Sequence, residues 1–175
     1  MRIELSDILS VKDRNIDIQA DIEMQRFTSK MGDYQIIDKK PLNINLHNTG
    51  KRRFTVKTNI DLELLIPCDR CLKEVKCKMN IEVNKDIDMN ESQNDEADDD
   101  REMFFIDGDE LDVEKLVYNE VLVNLPMKIL CSENCKGICN RCGANLNSQT
   151  CDCDTTELDP RMSKIRDIFN NFKEV

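Results

Sequence analysis

Nine cysteines stand in this chain of 175 residues, and six of them fall between positions 131 and 153. Thiols set so close together either oxidise to disulfides in an exported protein or stay reduced inside the cell as metal ligands or redox groups. The opening, Met1-Arg2-Ile3-Glu4-Leu5-Ser6-Asp7, has no apolar core of the kind that directs export. No run in the chain approaches the roughly 18 apolar residues that span a bilayer. The expectation is a soluble, cytoplasmic protein whose cysteines bind metal or carry redox chemistry.

Charge and composition exclude several function classes. Lys plus Arg number 25 against 35 Asp plus Glu, a formal net charge of −10. Such a surface does not coat nucleic acid without regard to sequence, although a local basic patch remains compatible with it. Aromatic residues make up 5% and Trp is absent, which argues against a stacking platform for single strands. The single histidine, His47, lies between Leu46 and Asn48, out of phase with the apolar positions. It reads as a solvated side chain, and no nucleophile–base pair can be built around it. The chain is not expected to be an enzyme.

Hydrophobic periodicity outlines a β-rich domain. Ile16, Ile18, Ala20, Ile22 and Met24 alternate with polar residues, and Leu42, Ile44 and Leu46 repeat the pattern. Two longer alternations follow, Phe54 to Ile66 and Val75 to Val83, joined by Pro67-Cys68-Asp69-Arg70-Cys71. They predict a long antiparallel hairpin with one face on a core. The acidic run from Glu91 to Glu102 has no apolar period and predicts an exposed loop. Met103 to Ile106 predicts a short strand. Val113, Leu116, Val117 and Val121 have helical spacing, with Asp109 or Asp112 as cap and Pro126 as stop, so a helix is expected over about 110–124. Asp159-Pro160 opens a second helix, with Met162, Ile165, Phe169 and Phe172 on its apolar stripe. The predicted fold class is α+β: an antiparallel β-rich domain with a long hairpin, two helices and a C-terminal cysteine-rich zinc knuckle. Its expected parts are residues 1–126, including the 91–102 loop, and residues 127–175 with the knuckle and last helix.

Eight of the nine cysteines fall in loops. Cys77 is in phase with Val75, Met79 and Ile81 and reads as a small core hydrophobe. Eight thiols suit two tetrahedral sites of four. The strongest spacing is Cys139-Asn140-Arg141-Cys142-Gly143, because thiolates two residues apart reach one ion from a tight turn and a glycine just beyond permits positive φ. Cys151 and Cys153 can close that cage, but their one-residue separation is tight, and Cys135 is an alternative to either. Cys68 and Cys71 share the two-residue spacing, with Cys131 and Cys135 as the remaining partners. Their rival reading is a thiol–disulfide pair, which more often opens a helix than tips a hairpin. One or two zinc ions are therefore expected, and structural zinc would supply folding free energy to a segment poor in large apolar residues.

In order along the chain, Pro67-Cys68-Asp69-Arg70-Cys71-Leu72, Leu125-Pro126, Cys135-Lys136-Gly137-Ile138-Cys139-Asn140-Arg141-Cys142-Gly143-Ala144-Asn145-Leu146-Asn147, Cys151-Asp152-Cys153 and Asp159-Pro160-Arg161 resemble the YceD family, named for accumulation of the large ribosomal RNA subunit. The resemblance implies a non-catalytic role in making or maintaining the large ribosomal RNA. It also supports grouping Cys68 and Cys71 with Cys131 and Cys135, because members without the knuckle keep the Cys-x-Arg-Cys element and a His/Cys cluster after the helix. The expected partner is precursor large-subunit RNA or a ribosomal protein, with no membrane and no small-molecule substrate. Lys136, Arg141, Asn145, Asn147 and Arg161 are the candidate contacts, within a wider basic set of Lys128, Lys164 and Arg166. The alternatives are a thiol–disulfide oxidoreductase at Cys68 and Cys71, and a zinc donor or escort for a ribosomal protein.

Overall fold

The computed structural model describes residues 1–90 and 105–153. Among these the chain is mostly antiparallel β-sheet with two helices. It divides into two compact units, Met1–Cys68 with Lys73–Ile129, and Asp69–Leu72 with Leu130–Val175. The named strands and both helices lie in the first unit.

The spine of that unit is a pair of 15-residue strands, β6 (Arg53–Pro67) and β7 (Glu74–Asp88). They pair along their whole length, with Arg53 opposite Asp88 and Pro67 opposite Glu74. Alternation explains the pairing: Phe54, Val56, Ile60, Leu62, Leu64 and Ile66 are buried on β6, as are Met79, Ile81, Val83 and Ile87 on β7. Lys57, Asn59, Lys78, Asn80 and Glu82 between them are exposed, so a one-residue slip would carry the apolar set to the solvent face. Beside β7, β6 also carries two strands in succession: β5 (Leu42–Gly50) pairs with Arg53–Lys57, and β4 (Gly32–Lys39) with Leu62–Leu65. β2 (Asn15–Ala20) flanks β5, and β3 (Arg26–Ser29) flanks β4. Leu42, Ile44 and Leu46 of β5 are at most 1% exposed, and burying each contributes about 2 kcal/mol.

Alternation alone extends the second strand to Met24, yet β2 ends at Ala20. The N–H groups of Glu23 and Met24 donate instead to the Glu114 carboxylate, at 2.6 and 3.2 Å. Ile22 remains buried, so the apolar period outlasts the ladder. His47 lies on β5 opposite Asn15 and Thr55 and is half-buried.

A small sheet, β1 (Arg2–Glu4), β9 (Glu110–Asp112) and β8 (Ile106–Asp107), leads into helix α2 (Val113–Asn124). Of the two candidate caps, Asp112 is the one used: its side chain accepts from Glu114 N–H and Lys115 N–H. The three residues before Val113 form β9, so the helix begins later than its polar flank suggests. Val113, Leu116, Val117 and Val121 form its buried stripe. Glu120, 7% exposed, meets Lys85 Nζ of β7 at 2.7 Å. The helix stops at Asn124, because Leu125 precedes Pro126 and takes an extended conformation. The other helix, α1 (Ser6–Leu9), is a single turn too short to register as a period. Asn48 holds the chain there, its Nδ2 donating to the carbonyls of Ile8 and Val11, both at 2.8 Å. The acidic run 91–102, Met103 and Phe104, and the helix expected from Asp159 lie outside the described residues. No helix among the described residues is long and apolar enough to cross a membrane.

Candidate metal centres

Among its described residues the cysteine-rich unit has little regular structure and is built from turns. At the hairpin tip, Cys68 N–H donates to Lys73 O at 2.8 Å, and Leu72 takes a φ of +60°. Arg70, inside the tip, faces the second cysteine segment. Its Nη1 donates to Cys135 O at 2.7 Å, and its own carbonyl accepts from Ile138 N–H at 3.1 Å. Gly137, between these two contacts, has a φ of +81°. A β-carbon there would stand 3.1 Å from Arg70 O, so close approach and positive φ both require glycine.

Beyond Gly137 the chain turns back on itself. Cys139 N–H donates to Ala144 O at 2.8 Å, Gly143 N–H to Cys139 O at 2.9 Å and Leu146 N–H to Gly137 O at 2.9 Å. An isolated bridge pairs Ile138 with Asn145. Gly143 has a φ of +73°, the conformation its place after Cys142 anticipates. Asn145 Oδ1 accepts from Asn147 N–H at 3.0 Å, and Asn147 Oδ1 accepts from Lys136 N–H at 2.8 Å. These two asparagines, candidate contacts by sequence, spend those groups on the turn itself. Lys136 and Arg141 are exposed, and neither forms an ion pair among the described residues. Arg161 lies outside them.

These turns gather the loop cysteines into two groups of four: Cys68, Cys71, Cys131 and Cys135, and Cys139, Cys142, Cys151 and Cys153. Within each group the sulfurs lie within 4.8 Å of one another. A tetrahedron with metal–sulfur bonds of about 2.3 Å has sulfur–sulfur edges of roughly 3.8 Å. The donor sets therefore fit one tetrahedral ion each. Cys135, which spacing left open, lies with Cys68, Cys71 and Cys131. Cys71 Sγ and Cys131 Sγ are 3.4 Å apart. Cys77 belongs to neither group: it lies on β7 opposite Leu64, and burial pushes its thiol up.

The groups differ in exposure and charge. Cys68, Cys71 and Cys135 are buried, with Cys131 half-buried, whereas in the other group Cys139 is buried and Cys142 exposed. Backbone N–H groups of Cys142 and Arg141 bring the Cys139 thiol down to about 6, against the opposing effect of burial. Hydrogen bonding to Cys142, followed by burial, pushes the Cys153 thiol up to about 12. Neighbouring thiols thus shift one another in opposite directions, and a divalent cation bound among them would favour their thiolate forms. At Cys135 burial acts upward, but hydrogen bonds from the Asn147 amide, the Gly137 N–H, Cys131 and Cys71 together lower the thiol. Spacing pointed to the cysteines and to Gly143. It carried no sign of the roles of Arg70, Gly137 or Asn147, which depend on contacts distant in sequence.

The family model described as "Large ribosomal RNA subunit accumulation protein YceD" matches residues 56–169. The chain belongs to the YceD family. The matched span takes in most of β6, all of β7 and α2, and all nine cysteines, and the family's name describes accumulation of an RNA subunit, with no reaction in it. Among relatives, the chloroplastic YCED homolog 1 of Arabidopsis thaliana, also named as a large ribosomal RNA subunit accumulation protein, is 40% identical over 50 residues, 29% of this chain and 16% of that protein. Its Zea mays counterpart is 32% identical over 72 residues, 41% of this chain and 24% of the relative. An uncharacterised protein of Mycobacterium tuberculosis is 26% identical over 102 residues, 58% of this chain and 49% of the relative. The chain thus spans at most about half the length of these relatives. No solved structure matches it.

Proposed function

We propose that this YceD-family chain is a non-catalytic cytoplasmic factor that supports accumulation and assembly of the large ribosomal RNA subunit and is built around two structural zinc ions. One observation carries the reading: eight loop cysteines form two groups of four, each with its sulfurs within 4.8 Å. Cys68, Cys71, Cys131 and Cys135 hold one ion, and Cys139, Cys142, Cys151 and Cys153 the other. A cage of four thiolates leaves no coordination position for water or substrate, so the ions act by folding the segment that binds them. That segment is the C-terminal zinc knuckle.

Precursor large-subunit RNA is the proposed partner, as the family name suggests. The contact set is Lys136, Arg141 and Arg161, with Asn145 and Asn147 shaping the turn that presents the first two. Cations on a metal-stiffened turn lose little conformational freedom on docking to phosphate. Co-sedimentation with large-subunit precursor particles, at two salt concentrations, tests this. Lys136→Glu with Arg141→Glu should abolish most of the association at both salts while zinc content stays at the parent level, and parent binding should weaken as salt rises. Deletion of residues 91–102 should leave binding near the parent value. Normal binding by the charge reversal and weak binding by the deletion would instead identify a basic ribosomal protein as the partner.

A further inference from the structure

A hydrogen bond ties the loop between two cysteines of one group to a sulfur of the other. Asn147 lies in the loop between Cys142 and Cys151, two members of the second group, yet its Nδ2 donates to the sulfur of Cys135, a member of the first, at 3.3 Å. The amide is held at every other atom that can hold it. Its Oδ1 accepts from Lys136 N–H at 2.8 Å, and Asn145 Oδ1 accepts from Asn147 N–H at 3.0 Å and from its Nδ2 at 2.9 Å. The backbone bonds from Leu146 to Gly137 and from Cys139 to Ala144 clamp the same loop against residues 137–139.

We propose that Asn147 is a positioning residue that couples the two metal centres. Closing the second cage shapes the loop from Cys142 to Cys151, and the shaped loop delivers an N–H donor to a thiolate of the first cage. A donor at a ligating sulfur orients it and draws off part of its charge, which makes outer-sphere hydrogen bonds count in metal affinity. Without the second ion the loop is held by its hydrogen bonds alone, and presenting the amide then costs more ordering entropy. Coupling between two binding events is reciprocal, so each ion strengthens the other by the same factor. The inference rests on the two-zinc reading above and deepens it.

The test uses the full chain, competition with a chromophoric chelator for zinc, and cobalt substitution to follow each centre by its sulfur-to-metal charge-transfer band. Chains with one cage removed, Cys71→Ser or Cys142→Ser, assign the signals. In the intact chain, Asn147→Ala should weaken the first centre about tenfold and shift its cobalt band. In the Cys142→Ser chain the first centre should already be weaker by a similar factor, and adding Asn147→Ala should change it no further. The Cys71→Ser chain should show the second centre weakened equally. Unchanged first-centre affinity in either Asn147→Ala or Cys142→Ser, or full additivity of the two, with two zinc ions still bound by the parent, would overturn the coupling and leave the two-zinc reading intact. A folded parent chain that binds no zinc would overturn both.

Discussion

The carbonyl oxygen of Arg70 stands 3.1 Å from the position a β-carbon would occupy on Gly137, nearer to it than the Arg70 β-carbon or carbonyl carbon. Arg70 O also accepts the Ile138 N–H there, so the peptide has little freedom to withdraw. Gly137→Ala adds a methyl against backbone at a φ of +81°, which costs about 2 kcal/mol. The variant should lose zinc at a lower chelator concentration than the parent. Equal retention would show that the contact relaxes without cost.

Elemental analysis should find two zinc ions per chain in protein prepared without chelator, since there are two four-sulfur groups. Cys71→Ser and Cys142→Ser should each lose one. Cys77→Ala should lose none and cost about 1 kcal/mol, as truncation of a half-buried apolar side chain. Metal loss on changing Cys77 would refute the division of the nine.

Coordinated thiolates are blocked from alkylation. In metal-replete protein, Cys68 and Cys71 should therefore resist iodoacetamide until a chelator is added, and the protein should not reduce insulin disulfides. Rapid labelling with disulfide reduction would favour a thiol oxidoreductase.

Asp112 caps α2 through two backbone N–H groups. Asp112→Ala should cost about 1 kcal/mol and lower the Tm, with Asp112→Asn recovering most of the loss. A Tm unchanged in Asp112→Ala would mean that packing of Val113, Leu116 and Val117 alone holds the helix start.

Local chemistry was legible in the sequence because it is written in short spacings. The period of two in β6 and β7, the helical spacing from Val113 to Val121 and the paired cysteines each need only neighbouring residues to be recognised. Boundaries were less legible where a distant group intervened. β2 ends at Ala20, opposite Leu42, the first residue of β5, and beyond it the Glu114 carboxylate, 91 residues from Glu23, takes the Glu23 and Met24 N–H groups. The choice between Asp109 and Asp112 as cap depended on β9, whose strand register with β1 places Asp112 at the helix start.

The sequence by itself determined that two long alternating strands meet at a cysteine-bearing tip and that eight cysteines lie in loops. Alternation and chelate spacing are properties of the chain within a few residues. Only the tertiary structure decided that β5 and β4 both pair with β6. It alone brought the sulfur of Cys135 beside those of Cys68, Cys71 and Cys131, and the amide of Asn147 to that sulfur. Those arrangements join residues far apart in the chain, and no local period records a contact whose free energy arises only once both segments have folded.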